Sequence, residues 1–222
     1  MGYQLDFGAL VQYSGLFLEG AAVTLGLTAA AATLGLALSI GGAATLRSKL
    51  AWARGLVAAY VELIRNTPFI VQMFFVFFGL PSLGLRMTAI EAAVLAMTIN
   101  LTAYAIEIVR AGIEAVPRGQ REAGLALGVR PALVFCFVIL PQALANVYPA
   151  LVSQIIITML ESAVVSQIAV TDLTHVADLI QSRNFRPFET YLVVTVIYLV
   201  LTVILRRLFA RSGRGLFAGR AP

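Results

Sequence analysis

The polar side chains most able to bind a ligand lie in one apolar segment of the sequence. Gln154, Thr158 and Glu161 are separated by four and three residues, and Ser162 follows directly. In a helix this spacing aligns the first three side chains on one face. An ionisable side chain in a membrane span costs about 2.5 kcal/mol or more, so its presence indicates a function. Glu161 is therefore predicted to contact a cationic group of a ligand. The alternative is a structural glutamate that is bonded to a neighbouring helix or lies near the outer interface.

Further polar residues in apolar segments are predicted to contribute to the same ligand path. Asn100, Tyr104 and Glu107 follow the spacing of one helical face. Gln72 either lines the path or forms a hydrogen bond between helices. Glu107 and Arg110 are three residues apart, which favours a structural ion pair. The predicted binding residues are Gln72, Asn100, Tyr104, Gln154, Thr158, Glu161 and Ser162.

Motifs for covalent or metal chemistry are absent from the sequence. A single histidine, His175, and a single cysteine, Cys136, exclude most metal sites. The only lysine, Lys49, follows Ser48, so the chain has no phosphate-binding loop of the form G-x-x-x-x-G-K-[ST]. The motifs H-E-x-x-H and G-x-S-x-G do not occur either. The sequence therefore predicts no catalytic residue, no metal ligand and no ATP bound in the P-loop manner.

The composition is that of an integral membrane protein. Hydrophobic residues make up 60% of the 222 residues and charged residues 12%, whereas a soluble domain has about 25% charged residues. A chain of this length has room for about five spans of roughly 20 residues in one transmembrane domain, residues 1–222. The predicted spans cover approximately residues 16–46, 67–80, 88–109, 150–169 and 188–205. The second is expected to start or kink at Pro68, and the fourth to begin after the breaker Pro149.

The basic residues are unevenly distributed between alternate loops. The larger set comprises Arg47, Lys49, Arg54, Arg65, Arg110, Arg118, Arg121, Arg130, Arg206, Arg207, Arg211, Arg214 and Arg220. The smaller set is Arg86, Arg183 and Arg186. By the positive-inside rule this bias predicts an external N-terminus, a cytoplasmic C-terminus and an odd number of spans. The net charge of +5 is thus a topology signal and needs no nucleic-acid partner.

A polar loop at residues 110–133 separates the third and fourth predicted spans. Within it, residues 120–127 are rich in good helix formers, and Gly128 follows at the position of a helix C-cap. Pro131 comes three residues later, where a helix cannot continue. We therefore expect a short helix on the membrane surface. Its small residues leave room for another protein to approach closely.

The sequence of this loop resembles the "EAA" loop of ABC-importer permeases, and the wider sequence is similar to permeases for polar amino acids. The matching phrases are Glu122-Ala123-Gly124, Gly128, Ile139-Leu140-Pro141-Gln142-Ala143, residues 104–113, residues 119–123 and residues 64–72. The resemblance extends over roughly residues 15–205. Three positions depart from the pattern: Asn66 stands in place of the common glycine, Gly124 in place of the usual alanine, and Leu160 in place of the usual lysine before the acidic residue.

The resemblance implies an all-α integral membrane protein with five transmembrane helices and the type I ABC-importer permease architecture. It implies the permease subunit of an ATP-driven importer for polar, including basic, amino acids in the bacterial inner membrane. The expected partners are two ATPase subunits, a second identical or homologous permease, an external solute-binding protein and membrane lipid. No cofactor is expected on this chain, since ATP and Mg belong to the ATPase. The residues expected to contact the ATPase are Gln120, Arg121, Glu122, Ala123, Gly124, Leu125, Ala126, Leu127 and Gly128.

Three other classes are alternatives to this reading. A passive channel needs no docking helix and conducts without ATP. A structural membrane subunit needs neither a docking helix nor a ligand path. An intramembrane enzyme needs a nucleophile with a base, or a metal cluster, and the sequence has neither.

Overall fold

The structure is a computed structural model that describes residues 4–216, with side chains up to residue 213. All regular elements in that range are helical, and residues 8–13 form a 3-10 helix that leads directly into the first α-helix. The helices are α1 (Ser14–Thr45), α2 (Ala51–Arg65), α3 (Phe69–Ser82), α4 (Ala89–Ala115), α5 (Arg118–Ala126), α6 (Pro131–Ile168), α7 (Leu173–Asn184) and α8 (Pro187–Leu216). Arg220 and the side chain of Arg214, which belong to the larger set of basic residues, lie outside the described residues.

Four helices are long and apolar enough to cross a membrane, and the number of crossings is five if a bent pair of helices is counted as one span. The four are α1 with its preceding 3-10 helix, α4, α6 and α8, and the pair is α2 with α3 at an angle of 111°. At the bend, the Asn66 amide donates to the Glu62 carbonyl at 2.8 Å, and Pro68 has an extended backbone. A residue that precedes proline avoids the helical conformation, so the chain restarts a helix instead of continuing one. The bend lies where the sequence predicted a restart or kink.

Helix α6 differs from the fourth span expected from the sequence. It begins at Pro131 and continues through Pro149 to Ile168, instead of starting near residue 150. Residues 135–139 form a π-helical turn just before Pro141, and the Gln142 amide donates to the Val138 carbonyl at 2.8 Å. A local π turn and a side-chain donor compensate for the amide hydrogens that proline lacks. The prolines therefore interrupt hydrogen bonds in α6 without ending the helix.

Helix α4 is the centre of the bundle and packs against α1, α2, α3 and α6. Small residues on its buried face permit this close packing. The fully buried alanines of α4 are Ala92, Ala93, Ala96, Ala103 and Ala105. At Gly112 a Cβ atom would lie 2.8 Å from the carbonyl oxygen of Ala143, so only glycine permits the observed approach of α6. Helix α8, by contrast, leaves most of its apolar side chains exposed, as expected for a helix that faces lipid.

The two ends of the bundle are distinct. The loop end carries α5, and the opposite end carries α7. There Leu10, Phe17, Leu173, Ile180 and Val194 belong to one apolar cluster that joins α7 to α1 and α8.

Asp172 begins α7 as its N-cap. Its carboxylate accepts hydrogen bonds from the backbone amides of Thr174 at 3.2 Å and His175 at 2.9 Å, and from the Tyr198 hydroxyl at 3.4 Å. Such a cap satisfies amide donors that the helix itself leaves without acceptors. Because the carboxylate is fully buried, burial raises the pKa of Asp172 above its ordinary value, although the hydrogen bonds oppose that shift.

Candidate functional site

Gln72 holds the bend between α2 and α3. Its amide nitrogen lies 2.7 Å from the Ile64 carbonyl, 3.0 Å from the Thr67 carbonyl and 2.9 Å from the Thr67 hydroxyl. Its amide oxygen accepts a hydrogen bond of 2.9 Å from Asn100 on α4. Ile64 and Thr67 are at the broken end of α2, where carbonyl groups have no helical partner. Gln72 was expected either to line the ligand path or to form a hydrogen bond between helices. The structure shows the second, a hydrogen bond from Asn100 on α4 to Gln72 on α3.

Tyr104 lies one turn along α4 from Asn100, and its ring faces Arg65. The guanidinium carbon of Arg65 is 5.4 Å from the ring centroid, within the range of a cation–π contact. Arg65 also approaches Glu107 at 3.8 Å. The predicted pair between Glu107 and Arg110 is present at 2.8 Å. These contacts tie the end of α2 to the loop end of α4, and a ligand contact of Tyr104 stays a prediction.

The polar face of α6 that was predicted from the sequence forms few hydrogen bonds with the rest of the chain. Gln154 and Thr158 are buried, Ser162 has no exposed surface and Glu161 is half-buried. The Ser162 hydroxyl donates to the carbonyl of Met159 at 2.7 Å, so its own helix satisfies it. The Thr158 hydroxyl is buried with no hydrogen-bond partner. Within the described part of the chain, Gln154 and Glu161 also have no side-chain hydrogen bond or ion pair.

The packing of α4 on α6 brings the polar residues of these two helices to the same level of the bundle. The helices are antiparallel, and Gly112 lies against Ala143 and Val147. On α4, Asn100 lies twelve residues before Gly112. On α6, Thr158 lies twelve residues after position 146, which is in the segment that Gly112 contacts. Since both helices rise about 1.5 Å per residue, Asn100 and Thr158 lie at about one height. Glu161 lies one turn further towards the opposite end.

Three buried polar atoms near this level have no hydrogen-bond partner among the described residues. They are the hydroxyls of Thr98 and Thr158 and the amide oxygen of Asn100. An unsatisfied buried polar group costs about 1–3 kcal/mol, so each such atom needs an explanation. Thr98 was not among the predicted residues, although a threonine two positions before Asn100 in an apolar span was a visible signal. A ligand contact of Asn100, Thr158 and Glu161 stays a prediction.

Helix α5 ends in the manner that the sequence predicted. The Gly128 amide donates to the Leu125 carbonyl at 3.0 Å, and the Val129 amide donates to the Gly124 carbonyl at 3.2 Å. This pair of bonds is a Schellman motif, which requires a left-handed residue after the helix. Gly128 supplies it with a φ of +74°. Because other residues resist this conformation, Gly128 sets the direction in which the chain leaves α5.

The two faces of α5 have different surroundings. At Gly124, a Cβ atom would lie 2.9 Å from a methyl group of Val134, so this face packs against the start of α6. The absence of a side chain at Gly124 therefore serves contact within the chain. Ala123, Ala126 and the polar residues of α5 are exposed, and Leu127 at its end is 82% exposed.

A bundle with up to five crossings and a short exposed helix between α4 and α6 defines a multi-pass membrane permease. The chain belongs to the family described as "Binding-protein-dependent transport system inner membrane component", which matches residues 22–217.

Named relatives and a solved structure support this assignment. The chain is 36% identical to the arginine transport system permease protein ArtQ of Bacillus subtilis, over 90% of this chain and 92% of the relative. It is also 36% identical to the glutamine transport system permease protein GlnP of Escherichia coli, over 95% and 97% of the two chains. A crystal structure of an amino acid ABC transporter with histidines matches with a TM-score of 0.87 and 40% identity, over 96% of this chain and 99% of that one.

These comparisons confirm the ABC-importer permease family and the type I permease architecture predicted from the sequence. The passive channel and the structural subunit are not favoured, because the chain is a transport-system membrane component along nearly its whole length. The intramembrane enzyme is not favoured either, since the relatives are permease subunits. The orientation of the termini and the roles of individual residues stay predictions.

Proposed function

We propose that this chain forms the path for polar amino acids, including basic ones, in an ATP-driven importer of the bacterial inner membrane. The names of its relatives, permeases for arginine and glutamine, support this substrate class. Two ATPase subunits, which carry ATP and Mg, dock at the loop end, and the chain itself binds no cofactor. A second permease, identical or homologous, completes the path, and an external solute-binding protein delivers the substrate.

The observation that carries the proposal is the carboxylate of Glu161. It is half-buried, lies within a membrane-crossing helix, and has no hydrogen bond or ion pair in the described part of the chain. A carboxylate in such surroundings needs a cation or a proton. Every amino acid has an α-ammonium group, and a basic one has a second cation. Leu160, in place of the lysine usual in similar permeases, supplies no competing positive charge.

Gln154, Thr158 and Asn100 complete the proposed path next to this carboxylate. Thr158 and Asn100 lie at one height, and each has a buried polar atom without a partner. Such atoms offer hydrogen bonds to the polar groups of an amino acid, or to water that accompanies it. Ser162 and Gln72 have their hydrogen bonds within the protein, so their part in this proposal is to position the path.

Uptake by proteoliposomes with Glu161→Gln tests the substrate contact. This change keeps the shape and removes the charge, and we expect uptake to fall by about tenfold or more, the order of one lost charge-assisted contact. Glu161→Asp should retain part of the uptake. Glu19→Gln is the matched control, because Glu19 is exposed on α1 and should tolerate the same change. Unchanged uptake by Glu161→Gln at equal membrane levels would return Glu161 to a structural role.

We also propose that α5 transmits ATPase movement to the membrane helices. Glu122 is exposed in the middle of α5, and Leu127 is exposed directly after its last residue. An exposed carboxylate at this place is able to form ion pairs with basic residues of a partner protein. Glu122→Lys should abolish ATP hydrolysis stimulated by the binding protein, with membrane insertion retained. Glu19→Lys, an equal charge change at an exposed site on α1, is the control. Undiminished stimulation in Glu122→Lys would contradict the docking role.

A further inference from the structure

A cleft lies between α5 and the loop-end parts of α1, α4 and α6. It consists of two adjoining cavities with volumes of about 240 Å³ and about 720 Å³. Both cavities are lined by the same residues where they meet, namely Arg47, Ile113, Arg121, Leu125 and Ile139. The larger volume is within the range of about 300–1,000 Å³ typical of small-molecule sites. The two cavities thus form one continuous site with room for a sizeable ligand.

The two halves of the cleft have opposite character. Apart from the shared residues, the smaller half is lined only by apolar side chains, from Ala44, Pro131, Val134 and Phe135. The larger half adds the charged residues Arg118, Glu114 and Glu122. The cleft therefore suits a ligand with one apolar end and one charged end.

The charged half has an excess of free cations. Within the described residues, Arg47, Arg118 and Arg121 have no ion pair or side-chain hydrogen bond. Glu114 is already paired with Arg110 at 2.8 Å. Glu122 is the remaining carboxylate of the lining, so three guanidinium groups face one uncommitted negative charge. Guanidinium groups bind phosphate oxygens with charge-assisted, often bidentate, hydrogen bonds.

The position of the cleft identifies the source of such a ligand. Arg47 comes two residues after the end of α1, where a membrane-crossing helix leaves the bilayer, and Ala44 lies in its last turn. A basic pocket between membrane helices at the bilayer surface matches a phospholipid headgroup, and the apolar half matches the start of an acyl chain. The excess positive charge selects a headgroup with net negative charge over a zwitterionic one.

We propose that this cleft binds one anionic phospholipid of the leaflet that surrounds the loop end. Its phosphate lies between Arg47 and Arg121, and its acyl chain lies along Ala44, Val134 and Phe135. A lipid in this place connects α1 to α5 through its phosphate. The position of the loop helix then depends on the lipid composition of that leaflet. This site is separate from the substrate path, and its test does not require transport.

Native mass spectrometry of the purified full-length chain in detergent measures lipid binding directly. We expect phosphatidylglycerol to bind about tenfold more tightly than phosphatidylcholine with the same acyl chains, because only the former has net negative charge. In Arg47→Gln with Arg121→Gln, the affinity for phosphatidylglycerol should fall by about tenfold, to the level of phosphatidylcholine. Arg47→Lys with Arg121→Lys keeps the charges and should retain most of the preference, which shows that the double glutamine variant is not simply misfolded.

The matched control is Arg206→Gln with Arg207→Gln, which removes two exposed arginines of α8 outside the cleft. It should leave the affinity for phosphatidylglycerol within about twofold of the unmodified chain, because neither arginine lines the cleft. Ala44→Phe fills the apolar half and should weaken binding of the full lipid more than binding of glycerophosphoglycerol, which lacks acyl chains.

Three results would overturn the proposal. One is equal binding of phosphatidylglycerol and phosphatidylcholine. Another is an equal loss of affinity in the α8 control, which would indicate general attraction to basic surfaces. The third is binding of inorganic phosphate or glycerophosphoglycerol as tight as that of the full lipid, which would indicate a site for a soluble phosphate.

Discussion

Two sets of polar residues in the membrane-crossing helices have similar side chains but opposite hydrogen-bond states. Gln72 and Asn100 hold α3 to α4, and Gln72 has four hydrogen-bond contacts with Ile64, Thr67 and Asn100. Thr158 and Glu161 on α6 have no side-chain partner in the described part of the chain. The first set replaces the helical hydrogen bonds that the bend between α2 and α3 removes. The second set has no such structural task.

This difference separates stability from function among residues of one chemical type. A buried polar group with all its hydrogen bonds is destabilising to remove, because its partners are then left unsatisfied. A buried polar group without partners lowers stability where it stands, so its presence favours a role with a ligand. Asn100 belongs to both sets, since its amide nitrogen is bonded and its amide oxygen is not. The two sets therefore predict opposite effects of substitution.

The largest effect on stability is expected for Gln72→Leu. This change leaves the Ile64 and Thr67 carbonyls and the Asn100 amide without their partner, so the free energy of unfolding should fall by about 2–4 kcal/mol. Denaturation of the purified chain by a graded detergent titration measures this change. Gln142→Leu removes a single hydrogen bond to Val138 and should cost about 1 kcal/mol. Equal losses of stability in the two variants would contradict a special role of Gln72 in stabilising the bend between α2 and α3.

Thr158→Val is expected to act in the opposite sense. It replaces an unsatisfied hydroxyl by a methyl group of similar size, so the free energy of unfolding should rise by about 1 kcal/mol. Uptake by proteoliposomes should fall several-fold, because the proposed path loses a hydrogen-bonding group. Thr28→Val is the control: Thr28 is a buried threonine of α1 outside the proposed path, its hydroxyl donates to the Thr24 carbonyl at 2.7 Å, and uptake should change little. If Thr158→Val lowers stability and leaves uptake unchanged, the hydroxyl has a structural partner.

The smallest effect concerns Asp172, a carboxylate that is buried but well bonded. Because burial raises its pKa in the folded chain, the folded state binds a proton more tightly than the unfolded state does. The free energy of unfolding should therefore fall as the pH rises from the ordinary value of 3.8 through the raised pKa, and stay lower above it.

Asp172→Asn keeps an N-cap side chain and removes the titration, so this decline with pH should become shallower. Thermal unfolding of the purified chain between pH 4 and pH 8 compares the two proteins. Glu19→Gln serves as the control, since Glu19 is exposed at the same end of the bundle, next to Gly20, which packs against Leu173. If the stability of Asp172→Asn falls with pH as steeply as that of the unmodified chain, a group other than Asp172 causes the decline.

The sequence by itself determined the class of the protein and most of its elements. Composition determined the membrane environment, and the phrases around Glu122 and Pro141 determined the family. Local chemistry also determined the bend at Pro68 and the end of α5 at Gly128, because each depends on the backbone preference of one residue. The pair of Glu107 and Arg110 was predictable for the same reason, since both residues lie on one helix.

Only the tertiary structure decided which polar residues act together. Gln72 and Asn100 are 28 residues apart in sequence, so their hydrogen bond depends on the packing of α3 against α4. The helical course of α6 through Pro141 and Pro149 was equally hidden, because periodicity does not reveal local compensation such as the π turn and the Gln142 side chain next to Pro141. The cleft at Arg47 and Arg121 joins residues from four helices. Helix periodicity defines the face of a side chain but not its partner, and partners decide whether a polar group is structural or free for a ligand.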